Sequence, residues 1–264
     1  MNKGFVILAQ NTKHTDYISC AEVLAQSLKR TMPHCSVSLI TDNIVESSVF
    51  DNVIPLPYGD LDPDGDWKLL NDWQVYEASP YEYTIKLEAD IFIPYSIDYW
   101  WDVLCERDVV VSTTIRNFKG EVSDVKYYRQ FIYDNKLPDA YNAITYFKKS
   151  KLAEDYFKTV RAIFENWEDF KAAMICHSKE GCTTDWAYAI ACQIHGAENT
   201  TLPMFTQMSM VHMKKMVNTL LFEDWRHELM YEFTEPMKIV SHPQLYPIHY
   251  YVKDFCKELK EAYA

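Results

Sequence analysis

Residues 84–94, Thr84-Ile85-Lys86-Leu87-Glu88-Ala89-Asp90-Ile91-Phe92-Ile93-Pro94, place two carboxylates two positions apart inside an apolar, β-rich run. Read as part of one strand over Tyr83 to Ile93, the period of two puts Glu88 and Asp90 on the same face. An ionised carboxylate in apolar surroundings is strongly disfavoured unless it is partnered, so two on one face call for a cation. Hard oxygen ligands suit Mg2+ or Mn2+, ions that share one or two protein carboxylates with the phosphates of a substrate. The plainer alternative is a solvated strand end, or a pair that neutralises Lys86 and a neighbour.

Working outward, Phe5 to Ala9 is a short apolar run that opens into the polar Gln10-Asn11-Thr12, as a buried first strand does. Asp16 to Thr31 carries a helical stripe of Ile18, Ala21, Leu24, Ala25 and Leu28 and is closed by Pro33. Val37 to Thr41 and Val53 to Leu56 read as strands, and Trp67 to Ala78 as a helix stopped by Ser79-Pro80. Downstream, Val109 to Ser112 and Asn142 to Phe147 are strand-like, with helical patterns over 123–136, 149–172 and 183–195. This alternation predicts an α/β fold with a mainly parallel sheet covered on both faces. Ligands bind beyond the carboxyl ends of such strands, which singles out Gln10, Asn11, Thr41, Asp42, Glu88 and Asp90. The chain divides into one main domain over 1–215 and a C-terminal extension over 216–264 packed on the same domain.

The composition narrows the class. With 264 residues, 48% of them apolar and only 6 glycines, the chain suits one packed domain rather than a disordered or disulfide-scaffolded one. The start Met1-Asn2-Lys3-Gly4-Phe5-Val6-Ile7-Leu8 lacks the pattern of a secretory signal, and no stretch stays apolar long enough to span a bilayer. Seven scattered cysteines fit free thiols in a reducing compartment, so a cytoplasmic location is expected. A net charge of −12 disfavours a protein whose whole surface grips phosphate backbones. Local basic clusters remain at Arg116/Lys119, Lys126/Arg129 and Lys148-Lys149/Lys151, although such runs are usually solvated.

The run "SPYEYTIKLEADIFIP" resembles the stretch of GT-A glycosyltransferases that ends in their Asp-x-Asp metal motif, above all the glycogenin and lipopolysaccharide-galactosyltransferase group and related phage-encoded enzymes. The resemblance implies a Rossmann-like fold, a Mn2+ or Mg2+ cofactor, and transfer of a sugar from a nucleotide-diphosphate sugar, a UDP-sugar by preference. Asp90 closes the motif and is the expected direct ligand; Glu88 stands where the first aspartate is usual and reaches the metal, the donor ribose or a bridging water. "GFVILAQN" is similar to the family's first strand and implies donor contacts at Ala9, Gln10 and Asn11, while "VSLITDN" implies one near Thr41 and Asp42. Lys68 matches a basic position facing the nucleotide, against the ordinary reading of an exposed helix lysine. "YNAITYFKKSKLAEDYF" resembles the run that lines the sugar and acceptor pocket, which points to Asn142, with Ile144 where glycine is usual. "CTTDWAYAIACQIHG" resembles the helix start that carries a carboxylate to the transferred sugar, so Asp185 is the expected catalytic acid or base; otherwise it stabilises the helix start.

Members of this family add a late histidine and a nearby lysine, and "MVHMKK" offers His212 as third metal ligand with Lys214 and Lys215 for the diphosphate. His249 in "YPIHYYVKDF" is the rival, set second because a lone histidine among aromatics is more often a core residue. Two decoys are set aside. Asp60-Leu61-Asp62-Pro63-Asp64-Gly65 imitates an EF-hand start but lacks its preceding helix and closing glutamate, and Cys176, His177, Cys182, Cys192 and His195 follow no zinc spacing. The acceptor is a glycan, a protein or, from the phage resemblance, a hydroxymethylated pyrimidine in DNA. Rival functions are a nucleotidyltransferase, disfavoured by the lack of a Gly-rich phosphate loop, and a non-catalytic carbohydrate- or partner-binding protein using the 19 tyrosines and 7 tryptophans.

Overall fold

The computed structural model describes residues 2–176, 181–218, 231–234, 238–241, 244–250 and 252–263. Strand β1 (Lys3–Leu8) shows how the layers form. Its Phe5 and Ile7 pack with Cys20, Leu24 and Leu28 of the Tyr17–Thr31 helix on one face of the sheet. On the other face Val6 joins Tyr156 and Val160 of the Lys151–Glu165 helix and Ala187 and Tyr188 of the Thr184–His195 helix. Burial on both faces is why this strand reads as an unbroken apolar run rather than an alternating one.

The remaining strands are β2 (Val37–Ile40), β3 (Asn52–Ile54), β4 (Tyr83–Glu88), β5 (Ile91–Phe92), β6 (Val109–Ser112), β7 (Thr114–Arg116), β8 (Tyr141–Lys148), β9 (Ser209–His212), β10 (Tyr231–Thr234), β11 (Lys238–Ser241) and β12 (Ile248–His249). The central six-stranded sheet has the order β3-β2-β1-β4-β8-β6. β1 runs parallel to β2 and β4, and β2 parallel to β3, whereas β8 is antiparallel to both β4 and β6. The reversal of β8 brings its first residues, Tyr141 and Asn142, to the same edge as the carboxyl ends of β1 and β4. A second sheet has the order β5-β12-β9-β7, and β10 and β11 form an antiparallel pair.

The expected α/β class and mainly parallel sheet are present, with differences in detail. Tyr83 to Ile93 is not one strand: β4 stops at Glu88, Ala89 and Asp90 form a turn, and β5 leaves for the second sheet. Glu88 and Asp90 therefore do not share the face of one strand; they meet because the chain bends between them. The segment before β4 is a 3-10 turn over Lys68–Gln74 followed by a short helix, Val75–Ala78, and the pattern over 149–172 divides into Lys151–Glu165 and Trp167–Ala172. The C-terminal residues are woven into the fold, because β12 lies between β5 and β9, and Cys256 of the Phe255–Tyr263 helix packs into the same core as the Tyr17–Thr31 helix.

None of the seven cysteines is in a disulfide, and no helix among the described residues is long and apolar enough to cross a membrane. Several members of the basic clusters are engaged within the chain. Arg116 is buried and donates to Ser209 Oγ at 3.0 Å and to the Gly120 carbonyl at 2.7 Å; Lys148 pairs with Asp108 and Lys151 with Asp155.

Candidate active site

In an open α/β sheet the crevice lies where neighbouring strands connect in opposite directions. β1 is that point, with β2 on one side and β4 on the other. A cleft opens there between Leu8, Ala9 and Gln10 at the end of β1 and Glu88, Ala89 and Asp90 after β4, with Thr12, Tyr17, Asp66 and Lys68 on its rim.

At its inner end three potential metal ligands converge. Glu88, Asp90 and His249 bring their ligand atoms within 4.8 Å of one another, the one such group of three among the described residues. His249 Nε2 lies 3.3 Å from Glu88 Oε2 and 3.1 Å from Asp90 Oδ1. The register of β12 sets this arrangement: His249 pairs with Ile91 of β5, and the Tyr250 backbone N–H donates to the Asp90 carbonyl at 3.1 Å. Burial pushes the His249 imidazole below its ordinary pKa, outweighing the opposing pull of Glu88. A neutral imidazole can donate one proton at Nε2 or offer a lone pair there, so it cannot compensate two carboxylates; a divalent cation satisfies all three groups. The donor set of two oxygens and one imidazole nitrogen fits Mn2+ well and Mg2+ less well. Lys253, four residues after His249, bonds Asp90 Oδ2 with its ammonium, and burial pushes that ammonium's pKa down.

The histidine beside the acidic pair is thus His249, and the expectation that His212 would stand there is corrected. His212 lies on β9, the strand next to β12, directly abreast of His249. Its ring stacks on that of His249 at a centroid distance of 4.7 Å, while its Nε2 bonds the Tyr141 hydroxyl at 2.8 Å. Burial first, and the neighbouring His249 second, hold His212 well below the ordinary histidine value.

The other expected donor-side residues divide into those that line the cleft and those that stand behind it. Ala9, Gln10 and Lys68 line it. Gln10 is held on both sides: its amide N–H2 donates to Asp42 Oδ2 at 3.0 Å, and its carbonyl accepts from Asn71 at 2.9 Å. Asp42 therefore acts on the cleft through Gln10, and Thr41 Oγ1 accepts from the Asn43 backbone N–H at 3.1 Å. Asn11 turns to the Tyr17–Thr31 helix, where its side-chain oxygen accepts from the Ile18 N–H at 3.0 Å. Lys68 is engaged by the acidic loop, at 2.6 Å from both Asp60 Oδ2 and the Asp62 carbonyl, so the EF-hand look-alike folds onto a lysine.

A second cleft lies beyond Tyr141, lined by Arg129, Phe131, Asp185, Trp186, His212 and Lys214 among others. Asp185 is not the helix cap: Thr183 Oγ1 accepts from the Trp186 N–H at 3.3 Å and does that work. The Asp185 carboxylate is instead directed to Asn142, whose backbone N–H donates to Oδ1 at 3.3 Å, and to Arg129 Nη2 at 3.8 Å. Arg129 is buried against Asp139 at 2.6 Å, and the two carboxylates hold its pKa up against the effect of burial. Trp186 stacks on Phe131 at 4.1 Å to make an aromatic wall. Lys215 begins the short Lys215–Asn218 helix, and His177 of the discarded zinc reading lies outside the described residues.

No protein-family model matches the chain, and no curated protein sequence matches it. Solved structures do. The galactosyltransferase LgtC, in complex with donor and acceptor sugar analogues, superposes with a TM-score of 0.59 at 11% identity, covering 98% of this chain and 95% of that one. The chain has the GT-A fold. The bifunctional glycosyltransferase WbbM (TM-score 0.54, 16% identity, 100% of this chain and 50% of that one) and the glycosyltransferase GlyE of Streptococcus pneumoniae (0.53, 11%, 99% and 60%) share it. Within this GT-A domain the paired acidic residues lie at the carboxyl edge of the sheet.

Residues that sequence reasoning passed over are Lys253, Tyr17, Thr12, Asp66, Tyr141 and the Asp72–Lys86 pair. Asp72 and Lys86 had a signal, as charges set within apolar stretches; Lys253 had none.

Proposed function

We propose that this protein is a metal-dependent glycosyltransferase that moves a sugar from a nucleotide-diphosphate sugar, of the UDP class, to a hydroxyl of a glycan acceptor. The observation that carries this reading is the convergence of Glu88, Asp90 and His249 at the edge where β1 and β4 end. The GT-A fold, and the donor and acceptor sugar analogues bound in LgtC, support the same assignment. A divalent ion bound by these three residues would neutralise the diphosphate and ease its departure.

The chain's own groups supply the rest. Ala9, Gln10 and Tyr17 form the wall for the nucleoside, with Asp42 and Asn71 fixing Gln10 behind it. Lys253 sits against Asp90 and Lys68 at the rim, where each can meet charge growing on the leaving group. Asn142 and Asp185 stand between the two clefts, placing Asp185 to bind the transferred sugar or to take the proton of an acceptor hydroxyl. The second cleft, with Trp186, Phe131 and Lys214, is the acceptor side. A glycan is favoured over modified DNA because the chain carries a net charge of −12, and Arg116 and Arg129 are buried in internal bonds. Release of UDP from a panel of UDP-sugars with Mn2+ tests the reading. Activity that survives Asp90→Ala, or calorimetry that detects no Mn2+-assisted uptake of UDP, overturns it.

A further inference from the structure

Between the two clefts lies a chain of buried polar groups that none of these assignments uses. Lys86, on β4 two residues before Glu88, is 1% exposed along its side chain, and Asp72 is 0% exposed; Lys86 Nζ and Asp72 Oδ1 are 2.6 Å apart. The Tyr188 hydroxyl donates to Asp72 Oδ2, and Lys86 Nζ donates to the Asn142 carbonyl at 3.1 Å. The Asn142 side chain stands between a lysine ammonium, which can only donate, and the Asp185 carboxylate, which can only accept. As placed, the amide nitrogen donates to Asp72 Oδ2 at 3.4 Å and the amide oxygen faces Asp185; with the amide turned over both neighbours are satisfied, its oxygen 3.2 Å from Lys86 Nζ and its nitrogen 2.9 Å from Asp185 Oδ1, and that orientation is the one assigned. Asp185 then accepts from Asn142 twice through one oxygen, since the backbone N–H reaches the same atom.

A buried ion pair is a poor source of stability but a strong constraint on geometry. Without Lys86 the amide could turn over, presenting its oxygen to Asp185 and repelling it. Lys86 and Asp72 also line the metal-side cleft, while Asp185 lines the other. We propose that Lys86, held by Asp72, is a positioning residue: it locks the orientation of the Asn142 amide, and the amide aims the Asp185 carboxylate at the junction of the two clefts. This inference rests on the transferase reading for its effect on turnover, but not for its effect on structure.

The test joins two measurements on the full chain. In crystal structures, wild type is expected to show the amide nitrogen on Asp185 at about the 2.9 Å of the assigned orientation, and Lys86→Met to lose it, with the Asp185 carboxylate displaced. Because Lys86→Met strands the Asp72 charge, Lys86→Met combined with Asp72→Asn serves as the variant that folds. In turnover, the Lys86 variants lose about 100-fold in kcat, with the donor KM and Mn2+-assisted UDP affinity changed less than about 3-fold. In an Asn142→Ala background the same change costs no more than about 3-fold, because the residue it acts through is gone. An Asp185 carboxylate that stays in place, or losses that multiply in the combined variant, overturn the proposal. A wild type that takes up no UDP with Mn2+ overturns the transferase reading instead, and the crystal structures then decide the positioning on their own.

Discussion

The two clefts meet at Asn142 and Tyr141 but are built by different means. On the metal side the functional groups sit on strand ends and backbone hydrogen bonds place them: Tyr250 N–H to the Asp90 carbonyl at 3.1 Å, and Met213 N–H to the His249 carbonyl at 3.0 Å. On the other side Asp185 and Arg129 are aimed by side-chain contacts, and the wall is an aromatic stack of Phe131 on Trp186. A ladder of peptide bonds tolerates changes in side chains without moving its register, so the positions of Asp90 and His249 are fixed by the backbone. The acceptor side depends on side chains that substitution can reshape without disturbing the sheet.

The largest break in this contrast is expected from Asp90→Ala, which removes a ligand on the rigid side. Turnover should fall by about 1,000-fold or more, equivalent to roughly 4 kcal/mol, together with Mn2+-assisted UDP binding measured by calorimetry. Asp185→Asn should separate the halves: a loss of about 100-fold in kcat with UDP and Mn2+ binding unchanged. The two stacked histidines offer a sharper comparison. His249→Ala should weaken Mn2+ binding by about 10- to 100-fold, whereas His212→Ala should weaken it by less than about 10-fold, as expected of a residue that only supports a ligand. Trp186→Ala should raise the acceptor KM by about 10-fold while leaving hydrolysis of the donor intact.

The smallest effect is on stability against pH. His212 and His249 both have pKa values held below the ordinary histidine value of 6.5 by burial. The unfolded chain therefore binds more protons than the folded one as pH falls below about 6.5, and folding stability must decline in that direction. Thermal melts without metal should show a falling Tm from pH 7 to 5, and His212→Phe should flatten the slope. A Tm that rises over this range contradicts the buried, neutral pair.

Much of the central sheet was legible because its strands are buried on both faces. Phe5 to Ala9, Val37 to Thr41 and Asn142 to Phe147 are mostly apolar or β-branched and overlap β1, β2 and β8. The break after Glu88 was not legible. Local sequence continues in β-rich residues through Ile93, and what ends β4 is the pairing of β5 with β12, a partner far along the chain. The same long-range pairing selects His249 over His212: two histidines side by side on adjacent strands differ only in which one faces the turn. Asp185 is singled out by a family likeness, whereas its contact with Asn142, and the contacts of Asn142 with Lys86 and Asp72, arise only when separate segments close around one residue.

The insertion of β12 between β5 and β9 also sets when the acidic pair gains its histidine. Asp90 and Lys253, which touch in the finished fold, are separated by 163 positions. A chain still emerging from the ribosome has made both acidic side chains long before it possesses the imidazole that faces them. Until the last segment is made, Glu88 and Asp90 lack the imidazole of His249, so the group of three is completed only by the end of the chain.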